Sequence, residues 1–306
     1  ITKTSFENSF VHCIYKLYIM KKLLLIFITL IFSSSMLSQN IPNKWDELVA
    51  SDWELALKKS NYTCILPIGI LEKHGPGVPI GSDLIRSREW ANRATKNEYA
   101  VVFPDYFYGQ INEAKQEYGT FSLPSKLAME LLEATTAEIA RNGFKKIIII
   151  NSHGGNPQMI RYFIQNQLEK KKDYIIYFFE PDIPLEIADQ IKATRKSDPS
   201  TDQHGGEREA SEILYLRPEL IKLNRSNEES GDNQARLKLP KTLYTAIWWY
   251  ASYPNHYAGQ AEYASRKLGR IVTENTVSSL TKAIKAVKED SISIVIQKEY
   301  FEKVKQ

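Results

Sequence analysis

Three of the five histidines fall in short glycine-rich segments that also carry acids or amides. The segments are Glu72-Lys73-His74-Gly75 with Asp83 nearby, Asn151-Ser152-His153-Gly154-Gly155-Asn156, and His204-Gly205-Gly206-Glu207-Arg208-Glu209. Histidine with carboxylate is the ligand set of hydrolytic metal centres. Glu72 and His74 are two residues apart, so in an extended segment both point to one side. Asp83 follows a Gly/Pro loop at the expected start of a helix, where it could cap the helix, as could Ser82. Its nearness to Glu72 and His74 favours a ligand. The turn at His153 could instead cradle phosphate at a helix N-terminus. It lacks the Lys and Ser/Thr of a P-loop, however, and no GxGxxG is present. On a helix Glu207 and Glu209 point about 200° apart, so at most one faces a site, and periodicity does not choose between them. His12 and His256 lie outside such segments.

The elements that must position these residues alternate between strand and helix. Residues 62–68, 100–103, 146–150 and 174–179 read as strands, the third with no polar alternation, as in a strand covered on both faces. Helical spacing is expected over 83–97, 125–142 (ending at Gly143), 157–171, 208–216 and 274–288, with a short entry helix over 42–57. Residues 105–124 read as a long loop and 222–245 as a polar excursion. This order predicts an α/β fold, a mostly parallel sheet with helices on both faces. Glu72 and His153 each follow a strand closely, so both arrive at the carboxyl edge of the sheet, where ligand sites of such sheets form. The aromatic stretch Trp248, Trp249, Tyr250 and Tyr253 suits either core or subunit packing, or a wall over a substrate.

The chain of 306 residues is 43% hydrophobic and 25% charged, with net charge +4. That mild, dispersed charge gives no footprint for nucleic acid or an acidic membrane surface. Met20-Lys21-Lys22, the apolar run 23–32 and Ser33-Ser34-Ser35-Met36-Leu37-Ser38 have the form of a secretory signal peptide. The run is too short to span a bilayer. The reading is therefore residues 1–19 as upstream translation, 20–38 as a signal peptide removed on export, and 41–306 as one domain, periplasmic or secreted, with no membrane attachment after cleavage. Only Cys64 then remains, a buried small hydrophobe without an internal disulfide partner.

Taken together, the motifs Glu72-x-His74-Gly75 … Asp83, Ser152-His153-Gly154-Gly155-Asn156 and His204-x-Gly206-x-x-Glu209-x-Ser211 resemble the creatininase (creatinine amidohydrolase) family. Leu66-Pro67-Ile68-Gly69 and Tyr118-Gly119-Thr120 match its secondary patterns. The likeness runs from about residue 62 to 220. It implies a single-domain creatininase-like fold and a metal-dependent amidohydrolase acting on small amides or cyclic C–N bonds. It also implies one or two divalent ions, Zn first and Mn or Fe as alternatives, and a homo-oligomer. The resemblance places metal ligands at Glu72, His74, Asp83 and His153, with Asp83 bridging two ions, and selects Glu209 over Glu207 as the fifth. His204 becomes the proton shuttle, with Glu207 an alternative proton donor. Creatininase itself carries a further ligand Glu where this chain has Gly155. The family often has a second His where this chain has Gly77, and commonly Gln where it has Lys73. Gly155 and Gly77 together argue against creatinine as the substrate. The implied chemistry is water activated by the ion, whose pKa falls to about 7, attacking an amide carbonyl. The rival reading is an exported small-molecule-binding protein that keeps the fold without turnover.

Overall fold

The computed structural model describes residues 20–22, 41–240 and 242–304. Contacts divide the chain into two units, residues 1–41 and 42–306, and the fold described here is that of the second. The upstream segment, including Cys13 and His12, and the leader-like stretch beyond residue 22 lie outside the described residues. Among the described residues no helix is long and apolar enough to cross a membrane.

The chain enters through two single 3₁₀ turns and helix α1 (Trp53–Lys59), not the one opening helix expected. Strand β1 (Thr63–Ile68) leads to α2 (Ser82–Asn97) and β2 (Val101–Val102), then α3 (Ser125–Arg141) and β3 (Lys146–Asn151). Helix α4 (Asn156–Asn166) and β4 (Ile175–Phe179) complete the sheet. Then come α5 (Leu185–Thr194), α6 (Glu207–Leu216), α7 (Trp248–Ser252), α8 (Arg266–Glu289) and α9 (Ser293–Lys303). The sheet is four-stranded and parallel, in the order β2-β1-β3-β4.

Side chains alternate across a strand, and both faces here are covered. On one face Cys64, Leu66, Ile68, Ile147, Ile149 and Ile176 pack with Leu132 and Ile139 of α3 and Ile160 and Phe163 of α4. On the other, Ile65, Ile148 and Ile150 pack with Trp90, Ala91 and Ala94 of α2 and Val277, Leu280 and Ile284 of α8. This is why β3 reads as an unbroken apolar run. Cys64 lies in the first core, and burial pushes its thiol up.

The order in which strands are added reverses at the β1/β3 pair. From β1 the chain moves outward to β2, then crosses to β3 on the other side. A crevice forms at such a switch point beyond the carboxyl ends of the strands. Ile68 ends β1 opposite Asn151 at the end of β3, so Glu72 and His153 leave the sheet side by side. Beyond β1 the chain doubles back, with Glu72 N–H donating to the Ile80 carbonyl (3.1 Å) and His74 bridging Val78. That hairpin delivers Asp83 to the first turn of α2. The excursion contains one 3₁₀ stretch (Leu223–Glu228) and is tied back to α7 by Gln234 N–H on the Ser252 carbonyl and by the Arg236 side chain on the Tyr250 and Ala251 carbonyls.

Candidate metal centre

The side chains of Glu72, His74, Asp83, His153, His204 and Glu209 converge over that crevice. His153 Nδ1 stands 2.6 Å from Glu72 Oε1 and 3.3 Å from Asp83 Oδ2. His74 Nε2 stands 3.3 Å from Asp83 Oδ1 and 3.8 Å from Glu209 Oε2. Asp83 thus turns one oxygen to each histidine. It does not cap α2 with its side chain; its carboxylate points into the cluster.

The far nitrogen of each imidazole is engaged by a backbone carbonyl. His74 Nδ1 lies 3.0 Å from the Glu72 carbonyl oxygen, His153 Nε2 lies 2.8 Å from that of Gln110, and His204 Nε2 lies 2.7 Å from that of Lys73. A carbonyl only accepts, so the N–H sits on that side and the lone pair faces the cluster. This is how metal-bound histidines are oriented. At the first site the consequence is severe. Glu72 Oε1, Asp83 Oδ2 and His153 Nδ1 are buried, lack hydrogen-bond partners and lie within 4.8 Å of one another. Three acceptor atoms gathered in a buried space need positive charge among them, from a bound cation or from a proton on the imidazole. The residues present therefore fit a divalent ion.

With no ion bound, the carboxylates draw a proton onto His74 and His153. Burial works against a charged His74, yet the carboxylates of Asp83, Glu209 and Glu72 together outweigh it and lift the imidazole to about 9. The same balance, with Glu72 the main opponent of burial, holds His153 well above the usual value. His204 differs, because burial prevails over Glu72 and pushes it down to about 4.

One cation is built in. Arg86 of α2 donates through Nη2 to Asp83 Oδ1 (2.6 Å), Glu209 Oε1 (2.7 Å) and the Ser152 carbonyl (2.9 Å). Its Nη1 lies 3.5 Å from Glu212 Oε1. The hydroxyl of Ser152 donates to the Asp83 carbonyl, locking β3 to α2.

Glu207 does not join the cluster. Its fully buried carboxylate accepts the backbone N–H of Lys196 and Ser197 (2.6–3.0 Å) and holds that turn. The proton-donor role expected of Glu207 finds no place in this geometry; the swing between alternate helical residues turns it away while Glu209 faces in. Gly205, at φ +67°, folds onto the His74 backbone and donates its N–H to Glu209 Oε2 (2.7 Å). Gly155 lies against Gln110, whose Oε1 would be 2.4 Å from a Cβ built there. Position 155 therefore supplies no ligand.

His256 is the residue that motif reading missed. The 256–258 segment is drawn in by paired backbone bonds between His204 and Ala258 (2.9 and 3.0 Å). Trp249 Nε1–H donates to His256 Nδ1 (2.7 Å), which leaves the proton on Nε2, 2.6 Å from Glu72 Oε2. His256 therefore donates to Glu72, although it also falls within ligand range of Glu72 and His204. Lys73, between two of the converging residues, pairs with Glu117 (2.9 Å) and Glu229 (2.8 Å) and so ties the two long loops together.

The sequence model of the creatininase family, described as creatinine amidohydrolase, matches residues 46–284. The chain belongs to the creatininase family. Creatinine amidohydrolase of Pseudomonas putida is 24% identical over 267 residues, 78% of this chain and 95% of that protein. The 3-dehydro-scyllo-inosose hydrolase of Thermotoga maritima is 24% identical, covering 74% and 77% respectively. A mycofactocin precursor peptide peptidase of Mycolicibacterium smegmatis is 26% identical over 51% of this chain and 59% of its own length. Among solved structures, a creatininase aligns at TM-score 0.68 and 21% identity over 81% of this chain and 99% of that one. A manganese creatininase aligns at 0.66 over the same shares, with 21% identity. The α/β fold is thus the creatininase fold, and the chain is a hydrolase of this family.

Proposed function

We propose that the protein is a metal-dependent amidohydrolase that cleaves a small amide or cyclic C–N bond. The observation that carries this is the buried trio Glu72 Oε1, Asp83 Oδ2 and His153 Nδ1, which face one another without partners. A divalent ion bound there supplies water that is ionised near neutral pH and a Lewis acid for the carbonyl oxygen. His/carboxylate ligands suit Zn, Mn and Fe. Creatininase structures described as a manganese form and a Zn-Zn type support the first two.

The protein's own groups do the positioning. The Gln110 and Glu72 carbonyls fix the tautomers of His153 and His74. Arg86 restrains Asp83 and Glu209, and His256 holds the second oxygen of Glu72. Glu72 and His74 are fully buried and Asp83 nearly so, while Glu209 is partly open, so a substrate approaches from the Glu209 side. A floor this enclosed, under two loops pinned by Lys73, suits a small molecule. A creatininase variant solved with creatine is consistent with a compact substrate. Gly155 packed on Gln110 departs from creatininase itself and directs the search to other small amides, lactams and formamides.

Export rests on the leader-like segment of residues 20–38. Self-association is supported by exposed apolar side chains at Leu239, Leu243, Tyr244 and Ile247. The test is elemental analysis of the purified protein followed by a screen of small amides. Stoichiometric metal and turnover that both vanish in Asp83→Ala and His153→Ala are expected, with each variant still folded. Full metal content and turnover in either variant would overturn the reading.

A further inference from the structure

Arg86 carries a permanent charge into the ligand cluster. Its side chain is 3% exposed, and a guanidinium does not lose its proton in a protein. Nη2 alone reaches Asp83 Oδ1, Glu209 Oε1 and the Ser152 carbonyl, at 2.6, 2.7 and 2.9 Å. Asp83 therefore gives one oxygen to Arg86 and keeps the other, Oδ2, for the buried trio with Glu72 and His153. Arg86 and an ion held by that trio would act on each other across a single carboxylate.

The charges around the cluster can be counted. Glu72, Asp83 and Glu209 bring three negative charges. An imidazole that ligates a metal is neutral, which covers His74 and His153. His204, pushed down to about 4 by burial, is neutral as well. So is His256, whose Nδ1 accepts from Trp249. Glu212, 3.5 Å from Arg86 Nη1, has Arg208 on its other side at 3.8 Å. Lys73 faces away from the cluster, to the partly exposed Glu117 and Glu229. Arg86 is left to balance one of the three carboxylates. The remainder is two negative charges, which one divalent ion neutralises. Without Arg86 the remainder would be three.

We propose that Arg86 is a specificity-determining residue of the metal centre, whose fixed charge fits the buried ligand set to a divalent ion and disfavours a trivalent one. The proposal rests on the metal-dependent reading of the buried trio and adds which ions that trio selects. Arg86 acts through Asp83 and Glu209 and so is a positioning residue. Positioning alone has a different signature, because loosened carboxylates weaken every ion. A fixed charge acts in proportion to the charge of the ion, so the ratio of two affinities isolates it.

The test measures the first equivalent of Mn²⁺, by calorimetry, and of Tb³⁺, by its luminescence, on the metal-free full chain. The ligand atoms are the same in each protein, so the preference of either ion for nitrogen or oxygen drops out of the comparison. Arg86→Met should raise the Tb³⁺-to-Mn²⁺ affinity ratio at least about tenfold, since unit charges a few ångströms apart interact by more than that at an effective dielectric constant of about 20. Arg86→Lys keeps the charge and loses the fork of donors. It should hold the unmutated ratio even where both affinities fall. Arg86→Met combined with Glu212→Leu removes both members of the buried contact, which proteins tolerate better than the loss of one. That double variant should show the same rise and decides the matter if the single variant does not fold. A ratio unmoved in the folded Met variants, or a Lys variant that shifts as far as Met, would overturn the proposal and leave Arg86 a structural clamp. Failure of the unmutated protein to bind Mn²⁺ at all would instead remove the metal-dependent reading itself.

Discussion

Replacing Arg86 by Met tests whether the site is held by charge. The guanidinium is 3% exposed and lies 2.6 Å from Asp83, 2.7 Å from Glu209 and 3.5 Å from Glu212. Methionine keeps most of the volume and removes the cation. Three carboxylates then share a buried region in which Arg208, 3.8 Å from Glu212, is the guanidinium that remains, and both Glu212 oxygens already lack hydrogen bonds. Breaking a buried pair by removing one partner typically destabilises by about 3–5 kcal/mol. Against a total stability of roughly 5–15 kcal/mol, that is a large share. At roughly 2–4 °C per kcal/mol for a domain of this class, melting should fall by about 6–20 °C. The loss has a defined pH dependence. Burial pushes Glu209 up, and Arg86 together with His74 and His204 more than offsets it, holding the carboxyl at about 2 against 4.5 unfolded. Asp83, where charged histidines and Arg86 overcome burial, also lies well below the usual range. A depressed carboxyl contributes stability above its unfolded pKa and loses it as pH falls through the folded one. The gap between Arg86→Met and the unmutated protein should therefore be widest at neutral pH and narrow below about 4.5. Urea unfolding of metal-free protein at pH 7 and at about pH 3, between the folded and unfolded values, followed by tryptophan fluorescence, measures it. A loss under about 1 kcal/mol at pH 7, the scale of an exposed pair, or a gap that widens on acidification, would refute the reasoning.

Three further outcomes are expected. His256→Ala, which leaves Glu72 Oε2 and Trp249 Nε1 without their partner, should lower metal affinity about 10–100-fold in a chelator competition; unchanged affinity would remove His256 from the site. Gly155→Ala should disrupt metal binding, because its Cβ would lie 2.4 Å from Gln110 Oε1 and 2.5 Å from His153 Nε2, whereas Gly154→Ala, with open space around it, should be silent. Finally, metal binding must displace the proton that His74 holds up to about 9, so affinity should rise with pH towards that value, and calorimetry at pH 7 in buffers of different ionisation enthalpy should show net proton release.

Much of this site was legible because its ligands sit where strands end. An unbroken apolar run such as β3 announces a strand covered on both faces, and His153 two residues beyond it must lie at the sheet's edge. Periodicity alone left Glu207 and Glu209 equivalent; family likeness and then geometry separated them. Other features were hidden for physical reasons. Arg86 looks like any helical arginine until α2 is laid across β3. His256 carries no local motif, because its position depends on pairing with His204 from another part of the chain. Helix α8 begins at Arg266, ahead of the expected 274, since its first turns pack on α6 with Gly269 close to the Ser211 carbonyl. Helices α5 and α9 expose much of their surface and so give weak apolar periodicity.

The grip of His256 on Glu72 joins residues 184 positions apart. Closing so long a span costs entropy that local contacts do not repay early. A nascent chain that stops short of residue 256 already contains all four strands, Asp83 and His153, yet its Glu72 lacks the donor that turns it. Ion capture at full strength is then a late event in biosynthesis, a checkpoint passed only when the C-terminal third has docked.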